Sequence, residues 1–391
     1  MSSSILKQMS NGLLLLPRGN PFYAAAKKIA AGNVGCVPPS KLLSPYGFKP
    51  TICASLQRLY HSYAIQERSP TPLISYQPKS LPLYDFFADS NVQPKPSYLF
   101  SHGASGFAKR RNYAIKESTN DYYSSQIGED AYFCRADALG VADGVGGWAN
   151  TKDASAALYS RKLMHHAFLQ LERFDNIDDP YFYHYDDANP MEILQHSYDV
   201  SMAEAKREGI VGSTTACIAV LRGDELRIAN LGDCGISVIR QNHYAFRSEE
   251  QQHFFNFPYQ LGTNSTTRPR DAQTFNIKVQ KGDVIVVGSD GLFDNLFDKE
   301  ILAIVNAHVN ACTIPASGQR PARLLNFQPQ KLADALANRA KTVSEDRRNI
   351  DSPFQSRAIH EGFYYQGGKA DDISVIVAVI QDNEDSPDRR L

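Results

Sequence analysis

Short apolar runs separated by polar turns fill the chain from residue 98 to residue 382, and most are too short to be helices. Small and β-branched residues occupy 212–221, a pattern typical of a buried strand. Tight turns separate it from 225–230 and 236–240, so we expect these three strands to form an antiparallel meander. Further strands are predicted at 274–279, 283–287 and 373–380.

Helical periodicity predicts helices in the same region. The first is expected to be capped by Asp153 and to end near residue 173, with one side formed by Ala157, Met164, Phe168 and Leu171. Asn189 and Pro190 predict the cap and first turn of a second helix, which ends near Glu208. Two more are expected at 298–308 and 331–343. Because strands and helices are grouped separately along the chain, the pattern favours an α+β fold over a doubly wound parallel sheet.

The composition changes on both sides of this region. Residues 61–97 contain six prolines, which suits an extended linker better than a packed element. Residues 383–391 are a polar C-terminal tail. We therefore expect a single folded domain at 98–382, with two layers of sheet sharing its core.

The distribution of charge in the N-terminal segment predicts a targeting signal. Residues 1–66 hold seven of the 41 basic residues and none of the 42 acidic ones, which leaves 34 basic against 42 acidic residues in the remainder. A basic, serine-containing, acid-free segment is typical of a mitochondrial transit peptide. We predict a transit peptide at 1–60, cleaved after Tyr60, and location in the mitochondrion, in the matrix. The alternative is a disordered N-terminal tail that carries no targeting signal.

Composition also excludes whole classes of protein. The longest aliphatic run, Leu13–Leu16, is far shorter than the roughly 20 residues of a membrane span, so no transmembrane segment is expected. The six cysteines show no paired spacing, which indicates a reducing compartment and neither a zinc site nor a disulfide framework. The acidic remainder has no basic stripe, which argues against nucleic-acid binding.

The stretch Gly128–Trp148 is the first candidate for chemistry. It holds the carboxylate pair Glu129 and Asp130, a run able to form a strand, and then Asp143 and Gly144 before a glycine-rich turn. Carboxylates at strand ends, where glycine lets the backbone come close, provide oxygen ligands for a hard divalent cation. Taken alone, the same residues could be a solvated strand end and an ordinary turn.

Three more aspartate-bearing turns adjoin predicted strands, at Asp233, Asp290 and Asp371. Carboxylates crowded together repel one another, and bound cations remove that penalty. The ligands are all oxygen, with no His or Cys at metal spacing, so Mg²⁺ or Mn²⁺ is favoured over Zn²⁺. Two such ions could bind a phosphoryl group and acidify an attacking water, which predicts a metal-dependent phosphohydrolase.

Six motifs in order then resemble the metal-dependent protein phosphatases, the PPM or type 2C family. They are Glu129-Asp130, Asp143-Gly144-x-Gly-Gly, Gly212-Ser213-Thr214, Asn230-Leu231-Gly232-Asp233, Ser289-Asp290-Gly291-Leu292-Phe293-Asp294 and Asp371-Asp372-Ile373-Ser374. The glycine turn ending in Trp148, together with Phe257-Pro258-Tyr259-Gln260-Leu261, is similar to the mitochondrial branch associated with coenzyme Q synthesis.

The resemblance implies a fold and a set of roles. The fold would be a four-layer α-β-β-α sandwich, two antiparallel sheets flanked by helix pairs. Asp143 would bridge two Mg²⁺ or Mn²⁺ ions, and Asp290 and Asp371 would complete the first site. Glu129 and the carbonyl of Gly144 would hold the second ion. Asp130 would orient the attacking water, and Asp233 and Asp294, with Asp290, match the third metal site of some members.

The implied substrates are phosphoserine and phosphothreonine proteins of mitochondria, hydrolysed directly by water without a phosphoenzyme, and a monomer is expected. Two positions depart from the family's eukaryotic pattern. Val145 replaces a histidine proposed to protonate the leaving alkoxide, and Ser125 replaces an arginine that grips phosphate. We therefore expect a slow or substrate-restricted phosphatase. A phosphoprotein-binding pseudophosphatase and a hydrolase of small phosphate esters are the alternatives.

The Cys-x5-Arg spacing of thiol phosphatases also occurs, at Cys234 and Arg240. The residues between them predict a strand, which would hold the two side chains about 20 Å apart. Thiol chemistry needs a tight loop around the phosphate, so this mechanism is rejected.

Overall fold

The computed structural model describes residues 96–109, 122–148, 151, 154–315, 317 and 323–383. These residues belong to one compact unit of the chain. The predicted transit peptide, nearly all of the predicted linker and residues 384–391 of the predicted tail lie outside them.

Two antiparallel sheets form the centre of the fold. The first contains, in order across the sheet, β1 (Tyr98–Phe107), β17 (Ile373–Asp382), β14 (Val284–Gly288), β8 (Gly235–Arg240) and β9 (His243–Arg247). The second contains β13 (Gln273–Lys278), β7 (Glu225–Leu231), β6 (Ala216–Arg222), β4 (Ala138–Ala142), β3 (Asp130–Cys134) and β2 (Ser125–Ile127). Short pairs are formed by β5 (Ser213–Thr214) with β12 (Leu261–Gly262), β10 (Gln252–Phe254) with β11 (Phe257–Pro258), and β15 (Thr313–Ile314) with β16 (Arg323–Leu324).

Six α-helices occur in the described residues: α1 (Ala156–Glu172), α2 (Pro190–Glu208), α3 (Asp290–Phe293), α4 (Asp298–Cys312), α5 (Pro329–Glu345) and α6 (Pro353–His360). Short 3₁₀ segments lie at Gly146–Trp148, Pro180–Asp187 and Pro269–Asp271. No helix within the described ranges has the length and apolarity that a bilayer crossing requires.

Successive side chains of each central strand point to opposite faces of the sheet, and this divides the core into three layers. In β4, Leu139 and Val141 face the first sheet, while Ala138 and Ala142 face α1 and α2. In β14 the alternation divides the side chains between the sheet interface and the layer of α4 and α5 in the same way. Strands with both faces covered must be apolar throughout, which explains their uninterrupted apolar runs. The predicted α+β, four-layer α-β-β-α sandwich is confirmed.

The first helix begins later than predicted. Its N-cap is Ser155, whose hydroxyl accepts a hydrogen bond from the Leu158 N–H at 3.1 Å, whereas Asp153 lies outside the described residues. The predicted cap of the second helix is confirmed, because Asn189 accepts from the Met191 N–H at 3.0 Å with Pro190 in the first turn.

Two strand predictions are wrong in topology. The run after Glu129 is a hairpin of β3 and β4 rather than one strand, since a turn at Arg135–Asp137 reverses the chain. The predicted meander is also incorrect. β6 and β7 are neighbours in the second sheet, but β8 belongs to the first sheet, so the chain changes sheets after Leu231. Apolar patterning predicts that a strand exists and cannot say which of two sheets it joins.

Gly232 makes this change of sheet possible. Its φ is +100°, and a Cβ atom there would lie 2.6 Å from the Thr215 side chain and 2.6 Å from the Tyr259 carbonyl oxygen. The next residue is Asp233, so the crossing also places a predicted metal ligand.

We expect Gly232→Ala to lower the free energy of unfolding by more than about 2 kcal/mol, because it adds a collision to the strain of a positive φ. Gly209→Ala is the matched control. Its φ is +69° but nothing lies within 4 Å of the added Cβ, so about 1 kcal/mol is expected. Urea unfolding of both variants measures the difference, and equal losses would contradict the close packing at Gly232.

Candidate active site

Strand pairing brings Asp130 and Asp143 together. Ala131 of β3 lies opposite Ala142 of β4, so the next residue outward on each strand, Asp130 and Asp143, falls at the same end of the hairpin. The Asp143 carbonyl accepts hydrogen bonds from the Thr214 hydroxyl at 2.7 Å and the Thr215 N–H at 2.9 Å, which fixes the turn.

The other predicted ligands come from the first sheet. Asp290 follows the end of β14 and Asp371 precedes β17, and these neighbouring strands are antiparallel. The Ser289 N–H donates to the Ser374 carbonyl at 3.1 Å, and the Ser374 N–H to the Ser289 hydroxyl at 3.0 Å, which locks the two segments together. Asp294 lies one turn after Asp290, with a 2.7 Å hydrogen bond between their backbones.

The carboxylates of the two sheets are close enough to affect one another's pKa values, so they form one cluster. Burial raises the pKa of Asp143 well above its ordinary range, and the nearby charges of Asp290, Asp130, Asp233 and Asp371 raise it further. Burial, followed by the charge of Asp290, raises the pKa of Asp233 in the same direction. Carboxylates from both sheets therefore repel one another at one end of the sandwich.

Asp130 is the most deeply buried member. Its side chain is 0% exposed, and neither carboxylate oxygen has a hydrogen-bond partner. Burial raises its pKa well above the ordinary range, the charge of Asp372 adds to this, and the nearby hydroxyls of Ser289 and Ser374 only partly oppose it.

Glu129 is held through its backbone. Its N–H donates to Asp372 Oδ2 at 2.7 Å, and its carbonyl accepts from the Ser160 hydroxyl at 2.6 Å. Asp372 Oδ1 accepts from the Lys109 N–H at 2.6 Å, so this one carboxylate ties β1, the Glu129 turn and β17 together. Sequence reasoning quoted Asp372 in a motif but gave it no role.

The chemistry of this cluster fits hard divalent cations. The donors are carboxylate and carbonyl oxygens, and the buried Asp130 oxygens and Asp290 Oδ1 have no hydrogen-bond partner. Within the described ranges, however, no three His, Cys, Asp or Glu side chains meet in a ready-made metal arrangement. Basic side chains hold several of the carboxylates instead.

Lys369 is the main basic residue among these carboxylates, and the sequence analysis did not identify it. Its ammonium contacts Asp290, lies 2.6 Å from Asp294 Oδ2 and 3.3 Å from Asp371 Oδ2. Burial acts to lower its pKa, but these carboxylates outweigh burial and raise the pKa well above its ordinary value. Its position two residues before Asp371 was the available signal.

Arg357 is a second basic residue that the sequence motifs did not identify. Its guanidinium pairs with Asp294 and lies 2.6 Å from Glu250. It comes from α6, a helix that the apolar pattern did not predict, so nothing in the sequence connected it with Asp294.

Comparison with known proteins gives this site a family. A family model described as protein phosphatase 2C matches residues 116–336. The chain belongs to the protein phosphatase 2C family. It is 40% identical over 259 residues to probable protein phosphatase 2C 55 of Arabidopsis thaliana, covering 65% of this chain and 48% of that protein. It therefore spans about half the length of that relative.

A human relative and a solved structure are similar to this chain and belong with the same assignment. The chain is 34% identical to protein phosphatase PTC7 homolog of Homo sapiens over 66% of this chain and 81% of that protein. The X-ray structure of the photosystem II phosphatase PBCP matches with a TM-score of 0.55 and 32% identity, over 72% of this chain and 99% of that one. The family model, the relatives and the solved structure therefore all point to the same family, protein phosphatase 2C.

The two departures from the family pattern have different surroundings. Val145 follows Asp143 and Gly144, is half-buried, and donates its N–H to the Ser213 carbonyl at 3.0 Å. Ser125 is exposed at the start of β2. Trp148, in the glycine turn, donates from its indole Nε1 to Ser213 Oγ at 2.6 Å, and that hydroxyl donates to Gln260 Oε1 at 2.6 Å. The two segments that suggested the mitochondrial branch are thus linked.

The rejected thiol mechanism is also excluded by geometry. Cys234 is fully buried beside Thr215, and burial raises its thiol pKa well above the ordinary value. Arg240, at the far end of β8, pairs instead with Asp283 at 2.6 Å.

We expect Asp130→Asn to raise the melting temperature of the chelator-treated protein, and to raise it more at about pH 8 than at about pH 5. The raised pKa of Asp130 gives the sign of this effect. The folded protein binds the carboxyl proton more tightly than the unfolded protein does, so it loses stability as pH rises from the unfolded pKa through the higher folded pKa. Asn removes that loss, since it cannot ionise.

Differential scanning calorimetry at both pH values measures the effect. Asp224→Asn, on the turn after β6, is the control that should show little difference. An Asp130→Asn increment that does not grow with pH would contradict a buried, repelled carboxylate.

Proposed function

We propose that the protein removes phosphate from phosphoserine and phosphothreonine in proteins, with Mg²⁺ or Mn²⁺ as cofactor. The observation that carries the proposal is that Asp290 and Asp371 from one sheet both interact electrostatically with Asp143 from the other. Asp143 would contact both ions, Asp290 and Asp371 one of them, and Glu129 and the Gly144 carbonyl the other. Two cations in this cluster would supply positive charge for the phosphoryl oxygens and lower the pKa of the attacking water.

The chain's own residues supply the remaining steps. Asp130, buried beside Asp143 at the same end of the β3–β4 hairpin, would orient the attacking water. The hydrogen bonds of Asp372 and Ser160 to the Glu129 backbone hold the second ligand set in register. Water attacks phosphorus directly, so no residue needs to act as a covalent nucleophile.

Val145 limits the rate of the proposed reaction. A serine or threonine alkoxide is a poor leaving group and needs a proton, which valine cannot donate. Absence of a general acid costs on the order of 10²–10⁴ in rate for such groups. We therefore propose a slow or substrate-restricted phosphatase that takes this proton from solvent.

We further propose that it acts as a monomer in the mitochondrial matrix, on proteins of coenzyme Q biosynthesis. The acid-free basic segment at 1–66 and the resemblance of the Trp148 and Phe257–Leu261 segments to that branch support this. A fluorescent fusion of residues 1–66 tests the address, and cytosolic fluorescence would refute it.

The metal-dependent activity is tested by phosphate release from phosphoserine peptides with Mn²⁺. Activity is expected to disappear with a chelator, to return with Mn²⁺ and to fall by about 10³ or more in Asp143→Asn, because the bridging charge is lost. Asp283→Asn, a buried aspartate paired with Arg240 away from the cluster, is the control that keeps activity.

The same assay separates the alternatives. Turnover of p-nitrophenyl phosphate but of no phosphopeptide would favour a small-ester hydrolase. Tight phosphopeptide binding without turnover of either would favour a pseudophosphatase, the reading that Val145 and Ser125 support. Activity that survives chelation would contradict the proposed mechanism.

We expect Val145→His to raise kcat on phosphoserine peptides by about tenfold or more, because it restores a proton donor. On p-nitrophenyl phosphate little change is expected, since that leaving group needs no proton. Val145→Asn controls for polarity without an acid. An equal effect of Val145→His on both substrates, or none on the peptide, would show that leaving-group protonation is not limiting.

A further inference from the structure

The ammonium of Lys369 occupies a fixed position among the metal-site carboxylates. It contacts Asp290 Oδ2, Asp294 Oδ2 and Asp371 Oδ2, and its side chain is only 14% exposed. The ring of Phe354 lies 5.0 Å from the ammonium, which adds a cation–π contact. Removing this ammonium would leave several carboxylates without a partner of opposite charge.

The backbone holds Lys369 in place as well. Its N–H donates to Asn295 Oδ1 at 2.9 Å, and its carbonyl accepts from Asn295 Nδ2 at 2.9 Å. Asn295 is fully buried and also donates to the Gly291 carbonyl at 2.9 Å, in the turn that begins with Asp290. Lysine and carboxylates therefore belong to one rigid assembly.

Both oxygens of Asp294 already have a cationic partner. Lys369 engages its Oδ2 and Arg357 its Oδ1. Asp290 is shared differently, since its Oδ2 contacts Lys369 while its buried Oδ1 has no hydrogen-bond partner. One Asp290 oxygen thus remains for a cation, on the side of Asp290 not engaged by Lys369.

We propose that Lys369 is a built-in cation that takes the place of a third divalent ion, leaving this phosphatase with two exchangeable metal sites. The two carboxylates closest to its ammonium, Asp290 and Asp294, are two of the three residues that the family resemblance assigned to a third site, while Asp371 of the first site is its more distant partner at 3.3 Å. A divalent ion there would have to displace a buried ammonium and face the guanidinium of Arg357. The inference rests on the metal-dependent function proposed above.

Counting Mn²⁺ bound per chain tests the proposal without using activity. Titration of chelator-treated protein, followed by isothermal calorimetry and by electron paramagnetic resonance of free Mn²⁺, is expected to give two ions for wild type and for Lys369→Arg. Lys369→Met is expected to gain a third ion, because it uncovers carboxylates that then attract a divalent charge.

Lys162→Met is the matched control. Lys162 is also buried, with its ammonium 2.7 Å from Glu204 and 3.0 Å from Glu208 between α1 and α2, so its loss removes an equivalent ion-pair cluster away from the site. It is expected to keep two ions. A third ion there as well would mean that any lost buried lysine creates a site, and would overturn the proposal.

Three ions in wild type, or only two in Lys369→Met, would overturn the role of Lys369 while leaving the phosphatase function intact. No Mn²⁺ binding by wild type would instead refute the metal-dependent function and this inference with it. If Lys369→Met is unfolded, Lys369→Gln, which retains hydrogen bonding to the carboxylates, repeats the test with the same expected gain.

Discussion

Repulsion between carboxylates crowded at one end of two packed sheets is the constraint on which the site depends. Asp130, Asp143 and Asp233 all have raised pKa values, for which burial is the largest cause and neighbouring carboxylates the next. A cluster of this kind is stable only with compensating positive charge. Lys369 and Arg357 supply part of that charge from the chain itself, and divalent cations would supply the rest.

The sandwich is what allows such crowding. Each sheet contributes aspartates at strand ends, and the apolar interface between the sheets fixes the distance between these two groups of aspartates. The hydrogen bonds of Ser289 with Ser374, and of Asp372 with the Glu129 backbone, hold those ends in register. Rigid elements therefore oppose the repulsion between the carboxylates before any ion binds.

Much of this could be predicted from the sequence because strand alternation and Asp-Gly turns are local signals. Asp143, Asp290 and Asp371 were predicted as ligands in this way, and the structure brings their charges into one cluster. Most strands were predicted from alternation, and the Asn189 cap from the Asn-Pro pair that begins its helix. The sheet change at Gly232 was not, since patterning does not report which sheet a strand joins. Lys369 and Arg357 were missed for a related reason: a lone basic residue carries no motif, and only the folded chain shows that Lys369 lies against three carboxylates.

The most direct test of this account is the anomalous scattering of Mn²⁺ in crystals of the full chain grown with excess Mn²⁺. Two peaks are predicted, both within coordination distance of Asp143, with the Lys369 ammonium still against Asp290 and Asp294. A peak enclosed by Asp233, Asp290 and Asp294 with Lys369 displaced would contradict the built-in cation. The absence of any peak at Asp143 would contradict the proposed metal-dependent site as a whole.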